Sequence, residues 1–296
     1  MDALSHALIV TILFSSTGLS SLLPFAILGT VILDADIFFP IISDTTPSLY
    51  LFTHGGIAHS IFGAVVLSAL AYLIIIGISI AGVIPSVLYP GSGIVAFAII
   101  LAGAFLHLSI DVLACPGIPI LAPFSDTKYS AGILPGPSIL LMGSAIAVLV
   151  FIISGRAPVL ATLAVYAMVV IIYLVFRAAA FLFAAAILPG RRVPTINPFR
   201  WLVITVNDTG YSVRYYSALR GFTNGEVFEK YLNTNPGEVK NYFNMPEVRR
   251  LVFNSYITIA ERNGATLIIS DPLREKGYIY YPPKFKRVRI PVEGAS

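Results

Sequence analysis

Four histidines lie in the most apolar part of this chain, where the sequence offers no basic residue to pair with their acidic neighbours. His6, His54, His59 and His107 all precede residue 108, and Met1–Thr127 contains no Lys, Arg or Glu. Ionisable groups held in membrane segments usually pair with each other or with an ion. Imidazoles and aspartates without a basic partner therefore predict a site for a metal cation.

The spacing of these residues supports the prediction. His107 and Asp111 are four positions apart, so on a helix they project from one face and can chelate an ion. The same pair could also be a buried hydrogen-bonded pair. His54 and His59 flank Gly55-Gly56 before a long apolar segment, and the glycines let the backbone bend so that both imidazoles reach one centre. The alternative is a pair of capping or interfacial histidines.

Asp34 and Asp36 follow an apolar segment and are expected in an extended loop. Alternate carboxylates there can bind one ion, bridge two ions, or leave one carboxylate as a general base. Asp36 is the candidate general base or bridging group, although the sequence does not separate its role from that of Asp34. His6 is either an interfacial histidine or a ligand. The predicted metal ligands are His6, Asp34, Asp36, His54, His59, His107 and Asp111.

Composition divides the chain into two parts. It is 57% hydrophobic and only 11% charged, whereas soluble domains carry about 25% charged residues. Up to Gly190 the basic residues are Lys128, Arg156 and Arg177, but Trp201–Ser296 has 13 basic and 9 acidic residues. We therefore expect a transmembrane domain over residues 1–190, a linker over 191–200 and a soluble domain over 201–296.

The apolar segments predict an α-helical polytopic membrane domain. A spanning helix needs about 20 mostly apolar residues. Two shorter segments, Ala3–Phe14 and Leu22–Leu33, are expected to form an N-terminal helical hairpin. The four predicted spanning helices that follow are Ile61–Val83, Ile94–Ala114, Ser138–Ser154 and Pro158–Leu188.

Counting these crossings brings the seven candidate ligands to one membrane face, with a turn at Pro85–Gly93 on the other. The same count puts Lys128, Arg191, Arg192 and Arg200 on the side of the site and Arg156 opposite. Because positive residues favour the cytoplasm, we expect the site and the soluble domain to face it.

The charged C-terminal part predicts a small α+β domain with an antiparallel sheet. Strands are expected at Trp201–Val206 and Tyr211–Ser217, around the hairpin turn Asn207-Asp208-Thr209-Gly210. A helix is expected over Pro246–Arg262, ending at Asn263-Gly264. Further strands are expected at Ala265–Ser270, Tyr278–Tyr281 and Arg287–Val292. No block of like charge indicates nucleic-acid binding, and a single cysteine excludes an internal disulfide.

Residues Met1–Phe124 resemble, motif by motif, the YdjM/YbcI-like family of membrane-bound, metal-dependent hydrolases. The resemblance is carried by Leu4-Ser5-His6, Leu33-Asp34-Ala35-Asp36-Ile37, His54-Gly55-Gly56-Ile57-Ala58-His59-Ser60, His107-Leu108-Ser109-Ile110-Asp111 and Gly117-Ile118-Pro119-Ile120-Leu121-Ala122-Pro123-Phe124. Two positions depart from the family pattern. Gly55 stands where an Arg is usual, which removes a phosphate-binding cation, and Ile37 stands where a His is usual.

The resemblance implies a membrane-embedded hydrolase that uses a divalent metal at the membrane interface. Zinc suits the imidazole-rich set and manganese is the alternative; the number of ions and the oligomeric state are left open. The family is similar to zinc-dependent phospholipases C, which implies a lipid-linked phosphoester as substrate. Divalent-metal transport or sensing without turnover is the second interpretation. A third, a structural membrane protein whose His and Asp only hydrogen-bond, also remains open. An intramembrane metalloprotease is disfavoured, because no Glu precedes Glu226 and the His-Glu-x-x-His motif is missing.

Overall fold

The computed structural model describes residues 2–15, 17–83, 93–136, 138–280 and 285–292. The chain divides into two units, one formed mainly by the apolar helices and one mainly by the charged C-terminal residues. The first, here called the membrane unit, comprises Met1–Pro40 and Thr53–Phe181. The second, the C-terminal unit, comprises Leu182–Ser296 together with Ile41–Phe52. The short segment 41–52 thus packs with residues far from it in the sequence.

The membrane unit is helical, as apolar surroundings require, because a helix satisfies its own backbone hydrogen bonds. Helix α7 continues beyond this unit into the start of the C-terminal unit. Among the described residues, the α-helices up to residue 187 are α1 (Ala3–Ser15), α2 (Leu23–Ile32), α3 (Pro40–Thr45), α4 (Ile61–Ile80), α5 (Gly93–Asp111), α6 (Ile139–Ile153) and α7 (Val159–Ile187).

Within the described residues, four helical runs are long and apolar enough to cross a membrane: Ser20–Thr45, α4, α5 and α7. Three of them confirm predicted spans. The predicted span Ser138–Ser154 forms the shorter α6, of 15 residues, whereas the second limb of the predicted hairpin lies in the longer run Ser20–Thr45. The predicted turn at residues 85–93 lies, except for Gly93, outside the described residues.

The segment from Asp34 to Ser60, predicted as a loop, contains several short helical turns. A 3-10 helix covers Leu33–Phe38, and further 3-10 turns cover Pro47–Leu49 and Ile57–His59. The extended conformation predicted for Asp34 and Asp36 is therefore wrong. In a strand, alternate residues share a face, but with three residues per turn they lie roughly 120° apart around the axis. The two carboxylates consequently point to different partners.

The C-terminal unit contains two sheets. In the first, β1 (Arg191–Pro194), β2 (Arg200–Val206), β3 (Gly210–Ser217) and β4 (Gly221–Phe222) pair in that order, and β5 (Glu226–Glu229) also pairs with β3. All of these pairs are antiparallel. The backbone amide of Asn207 donates to the carbonyl of Gly210 at 2.8 Å, which confirms the predicted hairpin.

The second sheet has the order β6 (Tyr231–Leu232), β7 (Ile259–Asn263), β8 (Thr266–Ser270) and β9 (Arg287–Pro291). Its β6–β7 pair is parallel and the other two pairs are antiparallel. Helices α8 (Pro236–Lys240), α9 (Pro246–Asn254) and α10 (Pro272–Glu275) complete the unit. Val248 and Leu251 on α9 are buried with Leu267 and Ile269 of β8 in one apolar core. The predicted helical membrane domain followed by an α+β domain is confirmed.

Two predicted elements of this unit are wrong. The helix predicted over Pro246–Arg262 ends at Asn254, because Ser255 takes an extended conformation and residues 259–263 form β7. Asn263-Gly264, interpreted as a helix stop, is the turn of the β7–β8 hairpin, a use typical of Asn-Gly. Residues 278–280 of the predicted strand Tyr278–Tyr281 form no strand, and Tyr281 lies outside the described residues.

The two units differ in outline from the domains expected from composition. β1 lies within the predicted linker, and the segment 41–52 packs with C-terminal residues although it lies within the predicted membrane domain. Composition records where charge begins along the chain, but it carries no information on which distant segment a loop contacts.

Candidate metal centre

All seven predicted site residues lie in the membrane unit, and they form one connected cluster of contacts. Four stretches of the chain contribute to it. These are α1 with His6, the 3-10 helix 33–38 with Asp34 and Asp36, the turns before α4 with His54 and His59, and the end of α5 with His107 and Asp111.

Close packing of α2 against α5 brings two of these stretches together. A Cβ at Gly29 would lie 1.8 Å from a backbone carbonyl oxygen of α5, and one at Gly103 would lie 2.3 Å from a carbonyl oxygen of α2. Small residues at a helix contact permit such an approach. As a result, the carbonyl of Thr30 on α2 accepts a hydrogen bond from Nδ1 of His107 on α5 at 2.6 Å.

The turn that carries His59 is fixed from both sides of Ser60. The Ser60 hydroxyl accepts a hydrogen bond from the backbone amide of Gly63 at 2.9 Å and so caps α4. The backbone amide of Ile61 donates to the carbonyl of Ile120 at 3.0 Å. The segment around Ile120, one of the motifs noted in the sequence, therefore holds the start of α4 and the turn before it.

His59 and His107 face each other at the centre of the cluster. Their Nε2 atoms are 3.1 Å apart, and the two residues are 1% and 0% exposed. Nδ1 of His59 lies 2.9 Å from a carboxylate oxygen of Asp36, and Nδ1 of His107 is bound to the Thr30 carbonyl. Because a carboxylate and a carbonyl can only accept, both Nδ1 atoms carry hydrogen, so both neutral rings direct Nε2 lone pairs at each other. This arrangement requires a cation or a proton between them.

Carboxylates flank the two facing nitrogens. Oδ1 of Asp34 lies 3.6 Å from Nε2 of His59 and 3.8 Å from Nε2 of His107. Oδ2 of Asp111 lies 3.5 Å and 3.3 Å from the same two atoms. Ligand atoms of a tetrahedral zinc site with bonds of about 2.0–2.1 Å are separated by roughly 3.3–3.4 Å. Each of these donor pairs is therefore close enough to share one ion.

His6 adds a further nitrogen donor at the edge of this group. Its ring stacks on that of His107 with a centroid distance of 3.9 Å, and its Nδ1 lies 3.0 Å from the carbonyl oxygen of Asp2. Its Nε2 lies 3.3 Å from Oδ1 of Asp111 without hydrogen-bond geometry. Among the described residues, Nε2 of His6 and Oδ2 of Asp34 are buried atoms that have no hydrogen-bond partner. Two groups could hold a metal ion: His6, His107 and Asp111, and Asp34, His59 and His107.

Asp36 occupies a different position from the other two carboxylates. It is fully buried, and its Oδ1 lies 2.6 Å from Nδ1 of His54. Its Oδ2 accepts from the backbone amide of Gly55 at 3.0 Å as well as from Nδ1 of His59. Gly55 has φ +70°, which favours glycine and allows this turn. Asp36 therefore orients two imidazoles, and the side chain of His54 remains 34% exposed.

Electrostatics at His59 show how strongly the cluster attracts positive charge. Burial lowers the pKa of His59, but the nearby carboxylates of Asp34 and Asp36 raise it to about 10. The imidazole thus holds a proton firmly where no other cation is available. Met1–Thr127 contains no Lys or Arg, so no basic side chain of this stretch supplies the neutralising charge.

Sequence reasoning found the side chains of the cluster but not the backbone groups that orient them. The carbonyls of Thr30 and Asp2 and the amide of Gly55 set the directions of three side chains. Backbone groups carry no residue-type signal, and a helix count does not predict which carbonyl faces a given ring. The individual ligand and catalytic roles of the seven residues stay predictions.

The chain has apolar helices long enough to span a membrane and a buried His/Asp cluster. These features define its class, the multi-pass membrane proteins with a candidate metal centre. The comparison with known families is consistent with this class. The family model described as YdjM inner membrane protein matches residues 1–182. Because this match covers more than half of the chain, the chain belongs to the YdjM inner membrane protein family.

Two other comparisons give no relatives. Neither the search of curated proteins nor the search of solved structures found a match. The family match supports the membrane location, and it includes every residue of the cluster because all seven lie before residue 112.

Proposed function

We propose that this protein is a metal-dependent hydrolase that acts at the membrane interface on a lipid-linked phosphoester. The observation that carries the proposal is the pair of buried Nε2 atoms, on His59 and His107, that face each other at 3.1 Å. Both rings are held with Nδ1 as donor, an arrangement typical of metal-ligating histidines, whose second nitrogen donates to a carboxylate or carbonyl.

The donor set favours one divalent ion, with zinc as the first choice and manganese as the alternative. His59, His107, Asp34 and Asp111 would hold it, with His6 beside Asp111. When bound, such an ion supplies Lewis-acid polarisation of the phosphoryl group and water that is acidic enough to react near neutral pH. The carboxylates also offset the cost of burying the charge of the ion.

His54 is the residue that we propose for proton transfer. Its Nδ1 is bound to Asp36, which fixes the ring, while its partly exposed side chain lies in neither metal-compatible group. A histidine oriented by a buried carboxylate is a typical general acid or base. Asp36, the residue first considered as the base, would then position His54 and His59 without touching the substrate.

A lipid-linked substrate is supported by the surface beside the cluster. Ile37 and Phe38 are 64% and 70% exposed, and they belong to the same 3-10 helix as Asp34 and Asp36. Apolar side chains at this point suit acyl chains. Gly55 leaves no cation in the turn, so recognition of the phosphate would depend on the bound ion.

The cytoplasmic orientation of the site is likewise a proposal. It rests on Lys128, Arg191, Arg192 and Arg200 being counted on one side and Arg156 on the other. Labelling of Thr127→Cys and of Ser154→Cys by an impermeant reagent in intact cells tests it, each in a protein whose Cys115 is replaced by Ser. Labelling at residue 127 and not at residue 154 would contradict the cytoplasmic orientation.

The hydrolase proposal is tested by comparing two histidine variants of the purified full-length protein. His59→Ala is expected to lose bound metal and turnover together. His54→Gln is expected to retain the metal, because Gln replaces a group outside the ion site, but to lose roughly 10²–10⁴-fold in turnover. Metal content is measured by mass spectrometry, and turnover with phospholipid and lipid-phosphate substrates in mixed micelles.

The outcomes separate the candidate functions. Metal in the wild type without hydrolysis of any phosphoester would favour transport or sensing. No metal in the wild type, even after incubation with excess zinc or manganese, would leave the cluster as a hydrogen-bonded structural element.

A further inference from the structure

The chain between Asp36 and His54 leaves the membrane unit and returns to it. Ile41–Phe52 belongs to the C-terminal unit, whereas the residues before and after this segment belong to the membrane unit. Asp36 stands five positions before Ile41, and His54 stands two positions after Phe52. Each end of this excursion, residues 37–53, therefore continues directly into a residue of the candidate metal centre.

The base of the excursion is closed by one carboxylate. Asp36 at its start accepts hydrogen bonds from the side chain of His54 at 2.6 Å and from the backbone amide of Gly55 at 3.0 Å, both just after its end. The same carboxylate binds Nδ1 of His59 at 2.9 Å. A shift of either limb of the excursion would therefore reach the imidazole whose Nε2 faces His107.

Two adjacent arginines of α9 bind residues 41–52, the part of the excursion that belongs to the C-terminal unit. Nη1 of Arg250 donates to the carbonyl of Ser43 at 2.6 Å and lies 3.7 Å from a carboxylate oxygen of Asp44. Nη2 of Arg249 donates to the hydroxyl of Tyr50 at 2.6 Å. Ser43 and Asp44 lie on the outgoing limb and Tyr50 on the returning limb, so the arginine pair holds both.

The contacts are partly buried, and α9 anchors them in the core of the unit. Ser43 is fully buried, and Tyr50 is 6% exposed, with its ring edge-on to Phe253 at a centroid distance of 5.5 Å. The opposite face of α9 enters the apolar core through Val248 and Leu251. Hydrogen bonds from a charged guanidinium are stronger than neutral ones, and a helix anchored in a core gives them a fixed origin.

We propose that Arg249 and Arg250 are positioning residues for the metal centre. By fixing both limbs of the excursion, they set the separation of Asp36 and His54, and through Asp36 the orientation of His59. The C-terminal unit thereby regulates the centre through the chain itself, and a change at α9 loosens metal binding. The effect on the metal rests on the proposed function, whereas the mechanical link does not.

The experiment measures hydrogen exchange and metal affinity on the full-length protein in detergent. The Arg249→Gln/Arg250→Gln double variant is compared with wild type and with Arg262→Gln. Arg262 is a matched control because it pairs with Glu238 at 3.5 Å elsewhere in the C-terminal unit. Tyr50→Phe, which removes a single acceptor, serves as a milder variant should the double variant fold poorly. Emission of Trp201 reports whether each protein is folded.

In the double variant, exchange over residues 41–52 is expected to rise at least tenfold. The rise should extend to the peptide that contains the Gly55 amide, and zinc affinity, measured by competition with a chelating dye, should weaken about tenfold. Tyr50→Phe should give smaller changes of the same kind, and Arg262→Gln should match wild type.

Faster exchange over 41–52 with unchanged protection of Gly55 and unchanged zinc affinity would overturn the proposal and leave the proposed function intact. Unchanged exchange throughout would overturn it as well. A wild type that binds no zinc would refute the proposed function alone, because the protection of Gly55 still decides whether the link exists.

Discussion

In the part of the chain that the structure describes, two buried clusters of charge differ in the groups that face their carboxylates. In the C-terminal unit the fully buried Asp271 pairs with Arg274, which is 4% exposed. Arg274 also donates to the hydroxyl of Ser255 at 3.3 Å. In the membrane unit, Asp34, Asp36 and Asp111 instead lie beside histidines.

The difference shows what a missing cation implies. The Asp271 carboxylate also caps α10 by accepting from the amides of Leu273 and Arg274, so the chain supplies everything this charge needs. Even so, burial raises the pKa of Asp271. The membrane cluster has more carboxylates, and they lie beside histidines. A cluster of the first kind is neutralised by the chain itself, whereas one of the second kind could hold a metal ion.

The largest effect is expected at the buried Asp271–Arg274 pair. Arg274→Met should lower the free energy of unfolding of the C-terminal unit by about 3–5 kcal/mol, because it leaves Asp271 buried and unpaired. Asp271→Asn/Arg274→Met should recover much of this loss, since Asn removes the charge and keeps the helix cap. The single tryptophan, Trp201, lies in β2 and reports unfolding of this unit in a denaturant titration. Equal losses in both variants would show that the charge is not the cause.

Removal of metal should affect mainly the other unit. For an ion present at 100 times its Kd, chelation should cost the membrane unit about 2.7 kcal/mol. The single cysteine, Cys115, is buried in this unit, so its reaction with a thiol-specific dye on heating reports unfolding there. The melting midpoint reported by Cys115 is expected to fall by more than that reported by Trp201. Equal changes in both midpoints, or no change in either, would break the contrast between the two clusters.

A smaller effect is expected for Asp36→Asn, which removes the charge of the side chain and keeps its shape. Asn can accept a hydrogen bond from one of His54 and His59, but its amide group confronts the Nδ1–H of the other. Metal affinity should fall by roughly 10–100-fold, the usual cost of losing a group that orients a ligand. Asp126→Asn, an exposed aspartate of the same unit, is the matched control. A complete loss of metal in Asp36→Asn would instead place Asp36 in direct contact with the ion.

Much of this protein could be predicted from composition and periodicity. The apolar runs gave three of the four long helices, and Asn207–Gly210 gave the first hairpin of the C-terminal unit. The α9 prediction failed past Asn254, because an amphipathic pattern over nine residues does not show where a chain turns into a strand. Pairing of β7 with β8 is a tertiary choice that overrides local helix propensity.

The sequence by itself determined that these ionisable groups have no basic side chain near them along the chain. The histidines and aspartates lie in apolar segments with no Lys or Arg before Lys128. The tertiary structure alone decided how these groups are used. Packing of α2 on α5 directs a backbone carbonyl at His107, the 3-10 turn separates Asp34 from Asp36, and residues 41–52 join a distant unit. Backbone direction, side-chain angle and long-range partner depend on packing in three dimensions, and no residue type records them.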